Sequence, residues 1–189
     1  MRRRLLCLAA LALALLVTST GCVKNGLIAK EENINEKWAE IDNMLKSRND
    51  KLPALVAAAK KTLKHEQAIF DKIMDARARL AGGGLTREEQ MSAANEISGA
   101  IGRLFVFKES NPEVMGDKVM VGLMDEISGM ENRLARARSE YNRAVKEFNT
   151  AIRQFPGSLY SDSLGGPKTF FEVPEAEKKT PDVAKMLED

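Results

Sequence analysis

The chain has 189 residues, 30% charged and only 5% aromatic, with a formal net charge of +2. That length accommodates one domain with extensions, and the abundance of Ala, Leu, Lys, Glu and Arg along its middle suits long helices. The only charges before Cys22 are Arg2, Arg3 and Arg4; losing them with a leader lowers the net charge by three, to −1, and removes the electrostatic basis for nucleic-acid binding.

Residues 1–21 read as an export signal of the lipoprotein type. Arg2-Arg3-Arg4 is its positive start, Leu5 to Val17 its apolar run, and Thr18-Ser19-Thr20-Gly21 its small-residue end. The apolar run of 13 residues is shorter than the ~20 needed for a spanning helix. Cys22 resembles the cysteine that is lipidated and becomes residue one in bacterial lipoproteins, although Ser19 stands where an aliphatic residue is usual. The alternatives are an ordinary cleaved signal and an uncleaved anchor. Val23, rather than Asp, follows the cysteine, so the inner-membrane retention signal is absent. With Cys7 in the leader and Cys22 carrying lipid, neither an intrachain disulfide nor a cysteine metal site is expected.

A first helix is predicted from about Gly26 to Arg48, with Leu27, Ile34, Trp38, Ile41 and Leu45 on its buried face. Asn49-Asp50 reads as a break, with Asp50 as N-cap and Pro53 in the first turn of a second helix, Lys51 to Leu80. Val56, Leu63 and Phe70 form that helix's seam together with Ala59, Ile73 and Leu80, and Gly82-Gly83-Gly84 ends it. Thr86 and Glu89 have capping-box spacing for a third helix, to about Lys108, burying Ala94, Ile97, Ile101, Leu104 and Phe105. Asn111-Pro112 breaks the chain again.

The fourth helix, Asp117 to Phe155, is the longest by this reading, about 39 residues or roughly 58 Å. Met120, Ile127, Leu134, Tyr141, Phe148 and Phe155 recur every seven residues beside Leu123, Met130, Ala137, Ala144 and Ala151. Such an unbroken apolar seam requires helices laid alongside it, and the three alanines near its C-terminal half let a neighbour approach closely. Pro156-Gly157 stops the helix. Residues 159–189 are expected to be a flexible, mostly irregular tail, with Phe170-Phe171 packing back onto the helices.

Arg48, Glu66, Arg77, Glu131 and Arg138 interrupt or flank the apolar seams and are candidates for an interhelical polar network that fixes helix register. Glu66 and Arg77, eleven residues apart on one predicted helix, are expected to find their partners on other helices, Arg138 being a candidate for Glu66. His65 is the only histidine, and neighbouring His65 and Glu66 point about 100° apart on a helix, so no metal site is expected there. No phosphate loop, nucleophile elbow, zincin helix or dinucleotide-binding glycine pattern occurs, so no catalytic residue and no cofactor are assigned.

Several motifs in order carry a resemblance: Trp38-Ala39-Glu40-Ile41-Asp42, Arg48 through Val56, His65-Glu66, Ala76-Arg77-Ala78, Glu131 through Arg138, Tyr141 through Val145, Phe148-Asn149-Thr150 and Arg153-Gln154-Phe155-Pro156. The chain resembles the LemA family of bacterial membrane-associated proteins over about residues 26–158. The resemblance implies an antiparallel helical bundle anchored at a membrane by its N-terminus, and it implies no catalytic activity. The expected architecture is therefore all-α: an antiparallel up-and-down bundle of four long helices in residues 22–158. The expected role is a non-catalytic, lipid-anchored scaffold or adaptor of the cell envelope, exported and facing the periplasm. Its expected partners are the membrane and an unidentified envelope protein, with no nucleic acid. The alternatives are a self-associating homo-oligomeric structural protein and a small-ligand carrier or enzyme using the bundle interior.

Overall fold

A computed structural model describes residues 2–63, 66–110 and 117–172, with side chains from Cys22 on. Among these residues the fold is all-helical, with four α-helices and no strand: α1 Arg2–Thr62, α2 Gln67–Ala81, α3 Arg87–Ser110 and α4 Lys118–Arg153. Two short 3-10 turns follow, at Gly157–Tyr160 and Asp162–Leu164. His65, Asn111-Pro112 and residues 173–189 lie outside the described residues.

The chain forms two compact units, Met1–Glu40 with Ser139–Phe170, and Ile41–Arg138 with Phe171–Asp189. In the first unit, Lys30 pairs with Glu147 at 3.5 Å and Lys37 with Glu140 at 3.3 Å, so α1 and α4 run in opposite directions there. Between them lie the buried side chains of Leu27, Ile34, Ala144, Val145, Phe148 and Ile152. Trp38 is half-buried and meets the Tyr141 ring edge-on, with centroids 5.6 Å apart. Hydrogen bonds to Glu40 and then to Glu140 hold the Lys37 ammonium above its ordinary pKa.

Residues beyond α4 are fastened to the same unit. The Asn149 side-chain amide donates to the Lys168 carbonyl at 2.9 Å and accepts from the Lys168 N–H at 2.8 Å. Lys168 Nζ reaches Glu31 at 2.6 Å, and the Tyr141 hydroxyl donates to the Thr169 carbonyl at 3.1 Å. Gly157 is required where the chain turns: a Cβ there would sit 2.1 Å from the Ala151 carbonyl oxygen.

In the second unit, Leu52, Leu55, Val56, Ala59 and Leu63 of α1 and its end, Ile69, Phe70, Ile73 and Ala76 of α2, Ile97, Ile101 and Leu104 of α3, and Met120, Met124 and Ile127 of α4 form one apolar core. Burying each large side chain of this kind contributes about 1.5–3 kcal/mol.

Two predicted boundaries are corrected. No break occurs at Asn49-Asp50; α1 runs through both and through Pro53. The interruption falls instead after Thr62, with α2 starting at Gln67. No Gly or Pro marks it, and Leu63 and Phe70 on its two sides are buried in the same core. At the far end α4 stops at Arg153, and Phe155 is 81% exposed instead of closing the seam. The rest of the main heptad row, Met120, Ile127, Leu134, Tyr141 and Phe148, is buried, as are Ala137 and Ala144.

Helix starts follow local chemistry. Asp117 Oδ1 accepts from the N–H groups of Val119 and Met120 at 3.0 and 3.1 Å, an N-cap for α4. Gly83 and Gly84, with φ of 72° and 77°, take the left-handed conformation that separates α2 from α3. Thr86 Oγ1 then accepts from the Glu89 N–H at 3.2 Å while Glu89 Oε2 accepts from the Thr86 N–H at 2.7 Å.

The backbone N–H and then the hydroxyl of Thr86 hold the Glu89 carboxylate below its ordinary pKa. A lowered folded-state value stabilises the fold fully above the unfolded-state value, and the contribution fades as pH falls through the folded one. Glu89→Gln keeps the capping geometry without the charge. It is expected to flatten the acid-side fall of the thermal midpoint; identical slopes for the two proteins would contradict this role for Glu89.

Candidate functional site: a buried arginine cluster

Arg48 is the largest fully buried side chain, 1% exposed, in a helix face otherwise made of Ile41, Leu45, Leu52 and Leu55. A guanidinium stays charged there, so the surrounding helices must supply oxygen atoms. Glu131 of α4 places Oε1 2.7 Å from Arg48 Nη1. Ser98 of α3 places Oγ 2.8 Å from the same nitrogen. The Ala94 carbonyl accepts from Nη2 at 3.2 Å. Nε, also buried, has no acceptor among the described residues.

Ser98 is the hub. Its oxygen accepts from Arg48 and, at 3.3 Å, from Arg138 Nη2. Its single proton faces Glu131 Oε2 at 2.8 Å and the Ala94 carbonyl at 3.1 Å. The carboxylate is the nearer and stronger acceptor. Arg138, 6% exposed, also lies over the Phe171 ring, 4.4 Å from its centroid. Among the described residues, two cations and one carboxylate thus share a small volume. The carbonyl of Ala94 accepts from Arg48, and the π face of Phe171 meets Arg138. Asn95 Nδ2 donates to the Glu172 carbonyl at 2.9 Å, fixing the segment that carries Phe171.

Of the five charges singled out in the sequence, Arg48, Glu131 and Arg138 meet at Ser98. Glu66 stands at the N-cap of α2, half-buried, with no side-chain cap hydrogen bond; its carbonyl accepts from Ile69 and Phe70. Arg77 serves a different purpose. Pro53 lacks the N–H that would bond the Asn49 carbonyl one turn back. Arg77 Nε donates to that carbonyl at 2.9 Å. This donor satisfies the carbonyl that Pro53 leaves without its partner where α1 passes through it. Cys22, the lipidation candidate, is an exposed free cysteine.

Sequence reasoning missed Ser98 and Phe171 as members of the cluster. The available signal for Ser98 was its spacing: four residues after Ala94 and one after Ile97, it lies on the buried face of α3. Nothing in the spacing of Phe171 pointed to Arg138.

None of Arg48, Ser98, Glu131 and Arg138 lines a groove of about 480 Å³ that lies open on the surface among Lys72, Ser92, Glu96, Gly99 and Arg103. Among the described residues no three His, Cys, Asp or Glu side chains gather as a metal site. The arrangement is that of an all-helical protein whose interior charges bind helices to one another. A family model matches residues 37–184, and the chain belongs to the LemA family. A search of curated proteins finds no match.

Removing one partner of such a buried pair leaves the other charge uncompensated, at a cost of ~3–5 kcal/mol. Arg48→Met should therefore destabilise strongly, Glu131→Gln less because that carboxylate is 21% exposed, and the double variant by less than the two costs added. Denaturant unfolding checks this; strict additivity would remove the coupling. Arg77→Met should cost about 1–3 kcal/mol by orphaning the Asn49 carbonyl. In a Pro53→Ala background, where the backbone N–H is restored, the same substitution should cost much less. An equal cost in both backgrounds would show that the Arg77 bond is not what sustains the helix.

Proposed function

We propose that this LemA-family protein is a non-catalytic scaffold or adaptor, tethered to a membrane of the bacterial cell envelope through lipid on Cys22 and facing the periplasm. In this reading the four helices form an antiparallel up-and-down bundle whose outer surface is presented to another envelope protein. The observation that carries it is the Arg48–Ser98–Glu131–Arg138 cluster. Among the described residues the two buried charged side chains, Arg48 and Arg138, are spent on joining α1, α3 and α4, where a catalytic use would need them facing a substrate. The leader supports the address: a triple-arginine start, a short apolar run and a cysteine directly after small residues. Two or more acyl chains on one cysteine hold a protein stably at a bilayer, each buried methylene adding ~0.8 kcal/mol. Among the described residues no helix is long and apolar enough to cross a membrane.

Crosslinking of the full chain in its native envelope, with fatty-acid labelling, tests the proposal. The expected result is a labelled, membrane-bound chain joined to a second protein, with Cys22→Ser abolishing the label and releasing the chain from the membrane fraction. Label surviving that substitution would refute lipidation at Cys22. Adducts made only of copies of this chain would favour a self-associating structural protein over an adaptor.

A further inference from the structure

The end of the first unit carries two large apolar side chains in water. Phe155 is 81% exposed and Leu159 is 67% exposed. Their position follows from the pairing of α1 with α4. Lys37 meets Glu140 and Lys30 meets Glu147, a step of seven residues on each helix. A further step of seven would bring residue 23 level with residue 154, just past the end of α4, which puts Phe155 and Cys22 at the same end of the unit, where the apolar leader meets residue 22. Lys24 and Arg153, both exposed, belong to the same end. An exposed aromatic ring, an aliphatic side chain and flanking cations are the side chains that settle at a bilayer surface, the cations attracted to anionic headgroups.

We infer that Phe155 and Leu159 form a foot that dips into the lipid surface beside the Cys22 tether. This contact rests on the membrane-anchoring proposal and goes beyond it: the folded body touches the bilayer with a defined end instead of swinging freely from a lipid. The occupant is lipid because the patch sits level with the one segment whose sequence points to a membrane. The foot also accounts for the exposure of Phe155, the last aromatic of the seven-residue row, just past the end of α4.

The test uses the full chain reconstituted into vesicles containing anionic lipid. In a Trp38→Phe background, Phe155→Trp places the only indole in the foot, and Glu36→Trp places it about 21 Å further along α1. Lipids brominated on their acyl chains should quench the emission of Phe155→Trp several-fold and leave that of Glu36→Trp unchanged. Leu159→Trp should behave like Phe155→Trp, which guards against one variant failing to fold. Vesicle flotation is measured on every sample. If the chain floats with the vesicles and neither foot variant is quenched, the foot is wrong and the tether stands. If the foot indoles are unquenched by lipid yet shielded from aqueous acrylamide, a protein surface covers the patch and the inference is overturned. If the chain does not float, the anchoring proposal falls and takes the foot with it.

Discussion

A permanent cation placed among leucines and isoleucines is tolerable only if the helices around it bring oxygen within reach. Arg48 imposes that condition on the second unit. Its two terminal nitrogens need acceptors from α3 and α4 at the same time, and those acceptors are a carboxylate, a hydroxyl and a carbonyl at fixed heights along their helices. Sliding either helix by one turn would carry its acceptor about 5.4 Å away. Apolar contacts are forgiving of such a slip, because one leucine replaces another at little cost. A buried guanidinium is not forgiving, because its desolvation is offset only at one register. The cluster therefore selects one packing among the several that the apolar seams would accept.

The same accounting of polar groups explains the continuity of α1. A proline in a helix interior removes a donor and leaves a carbonyl without its partner. In an isolated helix the loss would favour a break or kink at Pro53. Here the missing donor comes from Arg77, 28 residues from the Asn49 carbonyl that it serves, and the helix continues. Arg48 and Arg77 look alike in the sequence, each an arginine close to an apolar stripe. One is a buried ion held by three acceptors, and the other substitutes for a backbone N–H.

The segment after α4 is held by a series of backbone contacts. Asn149 clamps Lys168 by both its amide and its carbonyl, Tyr141 holds Thr169, and Asn95 holds Glu172. Each of these is a side chain bonding to main chain, so this part of the fastening depends little on which residues the segment itself contains. Two side chains of the segment also take part: Lys168 Nζ reaches Glu31, and Phe171, 1% exposed, faces Arg138, while its neighbour Phe170 is 41% exposed. The surface ion pairs, such as Lys51–Glu126 and Arg79–Glu96, contribute little by comparison because water screens them.

By itself the sequence determined the all-helical class, the family, the buried faces of the helices and the caps at Thr86 and Glu89, since periodicity and capping are local and repeat within a few residues. The seven-residue row from Met120 to Phe148 was legible for that reason, and so was the prominence of Arg48, Glu131 and Arg138. Only the tertiary structure decided that α1 passes Pro53, that the interruption falls near Leu63, that three of the five marked charges meet at Ser98, and that Phe155 is left in water. Each of those outcomes depends on which group from a distant helix arrives at a given height. A pattern along one helix says which face is apolar, but not what the neighbouring helix places against it.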